Sequence, residues 1–231
     1  MLSTIKLLGV TITNETEKKV SEYVLEALES TKKKLFIVTP NPEILVYSQN
    51  DLAYKTKLNS ADVSLPDGVG VLLGARLLGK PLKERIPGVE FIEKLCEKSK
   101  EKPVSMGFLG GRSGVAELTA ERLKKKYPWI NVVFVGEEWR ERKIDILFVA
   151  FGFPKQEEWI YENLPNLPVK AAMGVGGAFD YISGSVPRAP RFVRSLGLEW
   201  LFRLIRQPWR IKRQLALLEF IALILREVRP F

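Results

Sequence analysis

Val104–Val135 reads VSMGFLGGRSGVAELTAERLKKKYPWINVVFV. Val104–Leu109 is a short apolar run of strand type, Gly110–Gly114 a glycine turn, Val115–Lys126 a helix and Asn131–Val135 a second strand. Strand, turn, helix and strand in that order make the unit of a parallel sheet joined by crossover helices. The alternation extends upstream. Ile5–Val10 reads as a strand, and Asn14 with Glu17 as a capping box for a helix whose apolar face is Val20, Val24, Leu25 and Leu28. Leu35–Thr39 is a buried-type strand, after which Asn41 can cap and Pro42 open a helix through Ile44, Leu45 and Tyr47. Ala61–Leu65 is a short strand that stops at Pro66-Asp67-Gly68, and helices follow through Val69–Leu78 and Val89–Lys98.

Downstream come a strand at Ile144–Phe151, a helix at Pro154–Asn163 and a last strand at Val169–Met173. From Arg191 onward the pattern is helical only, with Pro208 expected to break or kink it because proline has no N–H to donate. The expected fold is α/β: a Rossmann-like, mostly parallel sheet with flanking helices in residues 1–190, and a basic amphipathic, membrane-binding helical appendage in residues 191–231. One segment resists this reading. Only Gly136–Lys143 separate two strands, whereas a parallel crossover needs a dozen or more residues. Either that pair is not parallel or part of the natural chain is missing there.

Composition narrows the chemistry. The 231 residues suit one α/β domain plus an appendage, or two small domains, and 46% apolar content is ordinary for a globular chain. A single cysteine, Cys96, excludes an internal disulfide and fits a reducing compartment. Histidine is absent, which removes the commonest general base and any His/Cys zinc site. Proton transfer then falls to Asp, Glu, Tyr, Lys or water.

Charge is uneven. From Arg188 to Phe231 ten basic residues face three acids, so this segment holds +7 of the chain's +9. A near-neutral body with a basic, Leu- and Trp-rich tail points to an anionic surface. The N-terminus has no signal-peptide pattern, and no run reaches the roughly 18 apolar residues of a spanning helix. Leu215–Leu225 is shorter and holds Glu219. The expectation is a cytoplasmic protein that touches a membrane without crossing it.

In doubly wound sheets ligands sit beyond the carboxyl ends of the strands. That gathers Thr39, Asn41, Asp67, Gly110–Gly114, Phe151–Gln156 and Gly174–Asp180 around one crevice. Asp67 stands out as a lone carboxylate directly after a strand, although Asp between Pro and Gly is also ordinary turn chemistry. Asn41 is equally an ordinary helix cap. Gly110–Gly114 can cradle phosphate through backbone N–H groups, but it matches neither common phosphate fingerprint and serves equally as a tight turn. Gly174–Asp180 invites close backbone approach to a ligand, with Asp180 placed to accept from hydroxyl or uracil N–H groups.

Six collinear segments carry a resemblance: Thr39-Pro40-Asn41-Pro42-Glu43, Leu65-Pro66-Asp67-Gly68-Val69-Gly70, Glu84-Arg85-Ile86-Pro87-Gly88, Phe108–Gly111, Phe151–Ile160, and Gly174–Asp180 followed by Pro187-Arg188-Ala189-Pro190. Together they resemble the WecG/TagA/CpsF family of bacterial glycosyltransferases over most of residues 5–230. The resemblance implies inverting transfer of N-acetylmannosamine from UDP-ManNAc to the 4-hydroxyl of GlcNAc-diphosphoundecaprenol, a β-1,4 product of wall teichoic acid synthesis. Related enzymes move ManNAcA or glucose, and no residue here discriminates between these donors.

The resemblance also implies site roles. Thr39, Asn41 and Asp67 fall in the catalytic pocket, with Asp67 as general base. Arg85, Gly152, Gln156, Gly176 and Asp180 bind substrate, and tail arginines cover the site. The family usually has a longer segment where Gly136–Lys143 stands. The partners implied are a UDP-sugar donor, a polyprenyl-diphosphate-linked acceptor and the inner face of the bacterial membrane, with no nucleic acid; a homo-oligomer stays open.

The residues themselves add an electrostatic argument. A departing UDP gathers negative charge that must be compensated. The chain has no Asp-x-Asp and no histidine, so metal-independent catalysis with no cofactor is expected, using arginines and backbone N–H groups. Arg203, Arg206, Arg210 and Arg213 are spaced to share one side of a helix if Pro208 only kinks it. Leu204, Ile205, Ile211, Leu215, Leu218 and Ile221 would form the opposing side, either packed on the body or laid in the headgroup region. Two rivals remain. A nucleic-acid-binding protein fits the pI near 9.6 but not the neutral body or the apolar tail. A nicotinamide-dependent oxidoreductase rests on fold analogy alone and lacks the fingerprint.

Overall fold

The computed structural model describes residues 2–29, 33–195, 197–208 and 211–228. A two-stranded antiparallel hairpin, β1 (Thr4–Leu7) and β2 (Val10–Thr13), precedes the main sheet. The single strand expected over Ile5–Val10 is thus two half-strands. The chain reverses at Leu8 and Gly9, both at positive φ (52° and 74°), as a tight hairpin turn requires. Leucine hides that turn from a sequence reading.

Helix α1 (Glu17–Glu29) buries Val20, Val24, Leu25 and Leu28, but the expected capping box does not form. Asn14 Oδ1 instead accepts from Lys83 N at 2.8 Å, and Glu17 N donates to Glu84 Oε2 at 2.8 Å. Thr16 Oγ1 caps locally, accepting from Lys19 N at 3.4 Å, and a distant loop adds Glu84.

The main sheet has six strands, all parallel: β3 (Leu35–Val38), β4 (Val63–Ser64), β5 (Ser105–Gly110), β6 (Asn131–Gly136), β7 (Ile144–Ala150) and β8 (Val169–Gly174), in the order β4-β3-β8-β7-β5-β6. Alternate side chains feed two cores. Ile37, Phe108, Ile146 and Phe148 face one side, with α1, α5 (Gly88–Lys98), α6 (Val115–Lys126) and α8 (Ala178–Ile182). Phe36, Val38, Leu109, Leu147 and Val149 face the other, with α2 (Pro42–Asn50), α3 (Leu52–Asn59), α4 (Val69–Leu77) and α7 (Lys155–Asn163). The helix after β5 covers the first face and the helix after β7 the second. The crevice between those two strands is therefore a topological switch point.

Strands β6 and β7 are both parallel to β5, which lies between them. Of the two alternatives, the non-parallel pair is excluded; in the sequence as it stands a seven-residue return joins the strands. Register sets Gly136 opposite Leu109 and Ile146 opposite Met106, so the chain must climb back only about five residues, roughly 17 Å. Residues 137–143 span that distance extended. Trp139 fills the place a crossover helix would cover, its ring tilted against Phe134 (5.2 Å) and edge-on to Trp159 (6.5 Å).

The tail forms α9 (Arg191–Ser195), α10 (Glu199–Arg206) and α11 (Ile211–Val228). Pro208 separates the last two, so the four arginines do not share one continuous helix. Arg203 and Arg206 lie on α10 and Arg213 on α11, while Arg210 is outside the described residues. Of the two readings of the apolar side, packing on the body fails for most of it: Ile205, Ile211, Leu215, Leu218 and Ile221 are exposed, and Leu204 is half-buried. Phe220 and Ile224 are the buried residues, and they join the second core. Among the described residues no helix is long and apolar enough to cross a membrane.

Candidate active site

A cavity of about 250 Å³ opens at the carboxyl ends of β3 and β4. Asn41 and Pro42 from the start of α2, Asp67–Gly70, Arg85, Tyr181, Arg188, Glu199, Trp200 and Leu217 all line it. Asp67 is fixed at both ends. Its backbone N donates to Pro40 O at 3.0 Å, and its carboxylate accepts from the Gly88 N–H. Burial pushes this carboxyl up to about 6; Arg85 and the Gly88 N–H pull it down, while Glu199 and Glu90 push it further up. Such a group is ionised at neutral pH yet basic enough to take a proton.

Asn41 fills its capping role and lines the cavity as well. Its Oδ1 accepts from Ile44 N at 3.0 Å, which fixes the amide and leaves Nδ2 as the donor it can offer a ligand. Thr39 is buried, and its hydroxyl donates to Gly174 O at 3.1 Å, clamping the end of β3 to that of β8. Gln156 is likewise committed: Oε1 accepts from Gly176 N at 2.8 Å and Nε2 donates to Glu157 Oε1 at 2.7 Å. Thr39 and Gln156 thus brace the glycine loop that leads to Asp180. Glu157 behind them is pushed up to about 7 by burial, against the opposing Gln156 bond.

The wall toward the tail is a chain of ion pairs. Arg188 Nη2 and Arg194 Nη1 meet Glu90 Oε1 at 2.7 and 2.9 Å, Arg188 Nε meets Glu199 Oε1 at 3.4 Å, and Arg85 Nη1 meets Glu199 Oε2 at 3.8 Å. Sequence reasoning missed Glu90 and Glu199. Glu199 figured only as one acid in a basic tail, and its partners lie over a hundred residues away or across a turn. Of the four tail arginines, Arg206 is exposed beside the Phe202 ring (5.4 Å) and does not line the cavity. The side chains of Arg203 and Arg213, and all of Arg210, lie outside the described residues.

A second, larger cavity of about 840 Å³ lies at the same end of the sheet, beside the switch point. Gly110, Gly111, Phe134 and Phe151 form part of its wall, with Arg140 and Arg142 from the short return segment. Gly110, Gly111 and Gly152 sit at φ 90°, 89° and 75°, open to glycine and strained for other residues. Asp180 Oδ1 lies 3.8 Å from Arg112 Nη2. Asp180 and the cavity-lining Tyr181 are neighbours on α8, which brings the glycine loop to the Asp67 cavity. Among the described residues no three His, Cys, Asp or Glu side chains gather as a metal site.

A parallel sheet with a carboxylate, arginines and glycine loops gathered at its carboxyl end suits group transfer on a phosphate-bearing ligand. Residues 5–230 match the glycosyl transferase WecG/TagA/CpsF family, and the chain belongs to it; it is a hexosyltransferase. It is 36% identical over 208 residues to the N-acetylglucosaminyldiphosphoundecaprenol N-acetyl-beta-D-mannosaminyltransferase of Bacillus spizizenii, covering 85% of this chain and 81% of that protein. It is 34% identical over 222 residues to the Staphylococcus aureus (strain MRSA252) protein of the same name, covering 90% and 87%.

Proposed function

We propose that the chain transfers N-acetylmannosamine from UDP-ManNAc to the 4-hydroxyl of GlcNAc-diphosphoundecaprenol, with inversion and a β-1,4 product, at the inner face of the bacterial membrane. The observation that carries this reading is Asp67: a half-buried carboxylate near Arg85, in a cleft at the carboxyl end of a parallel sheet.

Asp67 takes the proton of the acceptor hydroxyl as its oxygen bonds to the anomeric carbon. The bond from that carbon to the diphosphate breaks, and its electron pair leaves with UDP. The nucleotide lies along the switch-point crevice, where Gly152, Gly176 and Asp180 allow close approach. Thr39 and Gln156 position that loop, and Asn41 donates through Nδ2. Arg85 and Arg188 line the Asp67 cavity, and their planar forks suit a departing diphosphate without a metal ion. Residues 1–190 form the catalytic body. The tail helices roof the cavity through Glu199, Trp200 and Leu217, and tail arginines meet the lipid diphosphate.

The test is incubation with UDP-ManNAc and a GlcNAc-diphospholipid analogue in EDTA, with UDP-glucose and UDP-ManNAcA as competing donors. Disaccharide-lipid should form from UDP-ManNAc. Product from another donor only would overturn the donor assignment, and product only on adding divalent cation would overturn metal independence.

A further inference from the structure

Helix α4 belongs to the body, yet Leu73 and Leu77 on it are 56% and 60% exposed. Four residues apart, they stack on one flank of the helix. The neighbouring row is where α11 docks. A Cβ on Gly74 would stand 2.7 Å from Phe220 Cζ, and one on Gly70 3.4 Å from Leu217 Cδ1. Val71 and Ala75 complete the inner side in the second core. At 100° per residue the leucine row borders the glycine row on its solvent side, next to α11.

A surface helix normally has one apolar stripe and a polar opposite face. Helix α11 is apolar on both sides: Phe220 and Ile224 inward, Leu218 (66% exposed), Ile221 and Leu225 outward. Exposed charges stand at the margin: Arg76 and Lys80 by α4 and Arg226 on α11, against Glu219 and Glu227 of α11, the last paired with Lys80 at 3.8 Å. Leu217 of α11 also lines the Asp67 cavity, so this face runs up to the mouth of the site. An apolar face with a small basic excess at its margin, continuous with the site and set beside a basic tail, complements an anionic bilayer.

We propose that α4 is part of the membrane-contacting surface, with Leu73 and Leu77 entering the headgroup–acyl boundary of an anionic bilayer beside Leu218, Ile221 and Leu225. This rests on the lipid-linked acceptor proposed above. A tail helix alone would leave the body free to swing. A second line of contact on the body fixes its tilt, so that the Asp67 cavity faces the layer where a lipid diphosphate lies.

The test compares the full chain with the double variant Leu73→Gln/Leu77→Gln, using phosphatidylglycerol-containing vesicles. Leu118→Gln, exposed on α6 across the sheet, is the control. The double variant should partition at least about tenfold more weakly and lose turnover on a long-chain lipid acceptor. Turnover on a short, soluble acceptor should be unchanged, and the control should behave as the parent. Parent-like vesicle binding by the double variant overturns the role of α4 while leaving the lipid-linked reading intact. A parent chain that ignores vesicles overturns membrane contact altogether. A change in lipid-free sedimentation mass, without a change in vesicle binding, makes the face a contact between copies and also overturns the proposal.

Discussion

Asp67 is held against its own solvation. Its folded value of about 6 lies above the ordinary 3.8, so the folded chain holds this proton more tightly than the unfolded one. The resulting stabilisation is present in full below about pH 4 and is lost as pH rises through 6. Asp67→Asn should therefore raise stability at pH 7.5 by on the order of 1–3 kcal/mol, read as a higher melting temperature, and change it little at pH 4. The same variant should lose turnover by at least about 10²-fold while UDP binding, read by calorimetry, survives. An equal thermal effect at both pH values would show that burial of the charge is not what shifts Asp67. Arg85 opposes that burial. Removing its charge with Arg85→Met should move the acid limb of the pH–rate profile upward, and an unmoved limb would take Arg85 out of the electrostatics of the site.

At the scale of elements, the most consequential packing is α11 on α4 and α2. Phe220 is buried against the bare backbone of Gly74, and Phe220→Ala should cost about 3–5 kcal/mol. Gly74→Val puts a branched side chain where Phe220 stands, which should lift α11 off and expose the tail to protease. Unchanged digestion of that variant would mean that α11 is held elsewhere. The Arg188–Glu90–Arg194 and Arg188–Glu199 pairs tie α9 and α10 to α5 in the same way. Their side chains are only partly exposed, so these contacts are screened less by salt than surface pairs.

For the whole molecule, charge and chemistry divide along the chain. The sheet and its two helix layers hold the carboxylate and glycine loops, and the basic helices supply the roof. Truncation before Arg191 should leave the sheet folded, with lowered thermal stability because Phe220 and Ile224 leave the second core. It should also leave little transferase activity. Normal turnover by that truncation, on lipid-linked or soluble acceptors, would remove the tail from the mechanism.

What local sequence determines here is the alternation. Apolar period, proline at the start of α2 and glycine at or soon after the end of every parallel strand but β3 locate every parallel strand and most helices within a few residues, because those signals act between near neighbours. Helices α3 and α8 escaped notice; α3 has almost no one-sided apolar face, and α8 is a single turn after glycines. The Leu8-Gly9 turn escaped because leucine rarely adopts positive φ. Asp67 and Asn41 are legible as candidates since they stand where strands end, and Arg85, in the loop before α5, only through the family resemblance. Only the tertiary structure decided what surrounds them: that Glu199 and Glu90 face the arginines, that Thr39 and Gln156 spend their polar groups on bracing a loop, and that seven extended residues replace a crossover helix. Those outcomes depend on distances between segments far apart in the chain, which no local pattern encodes.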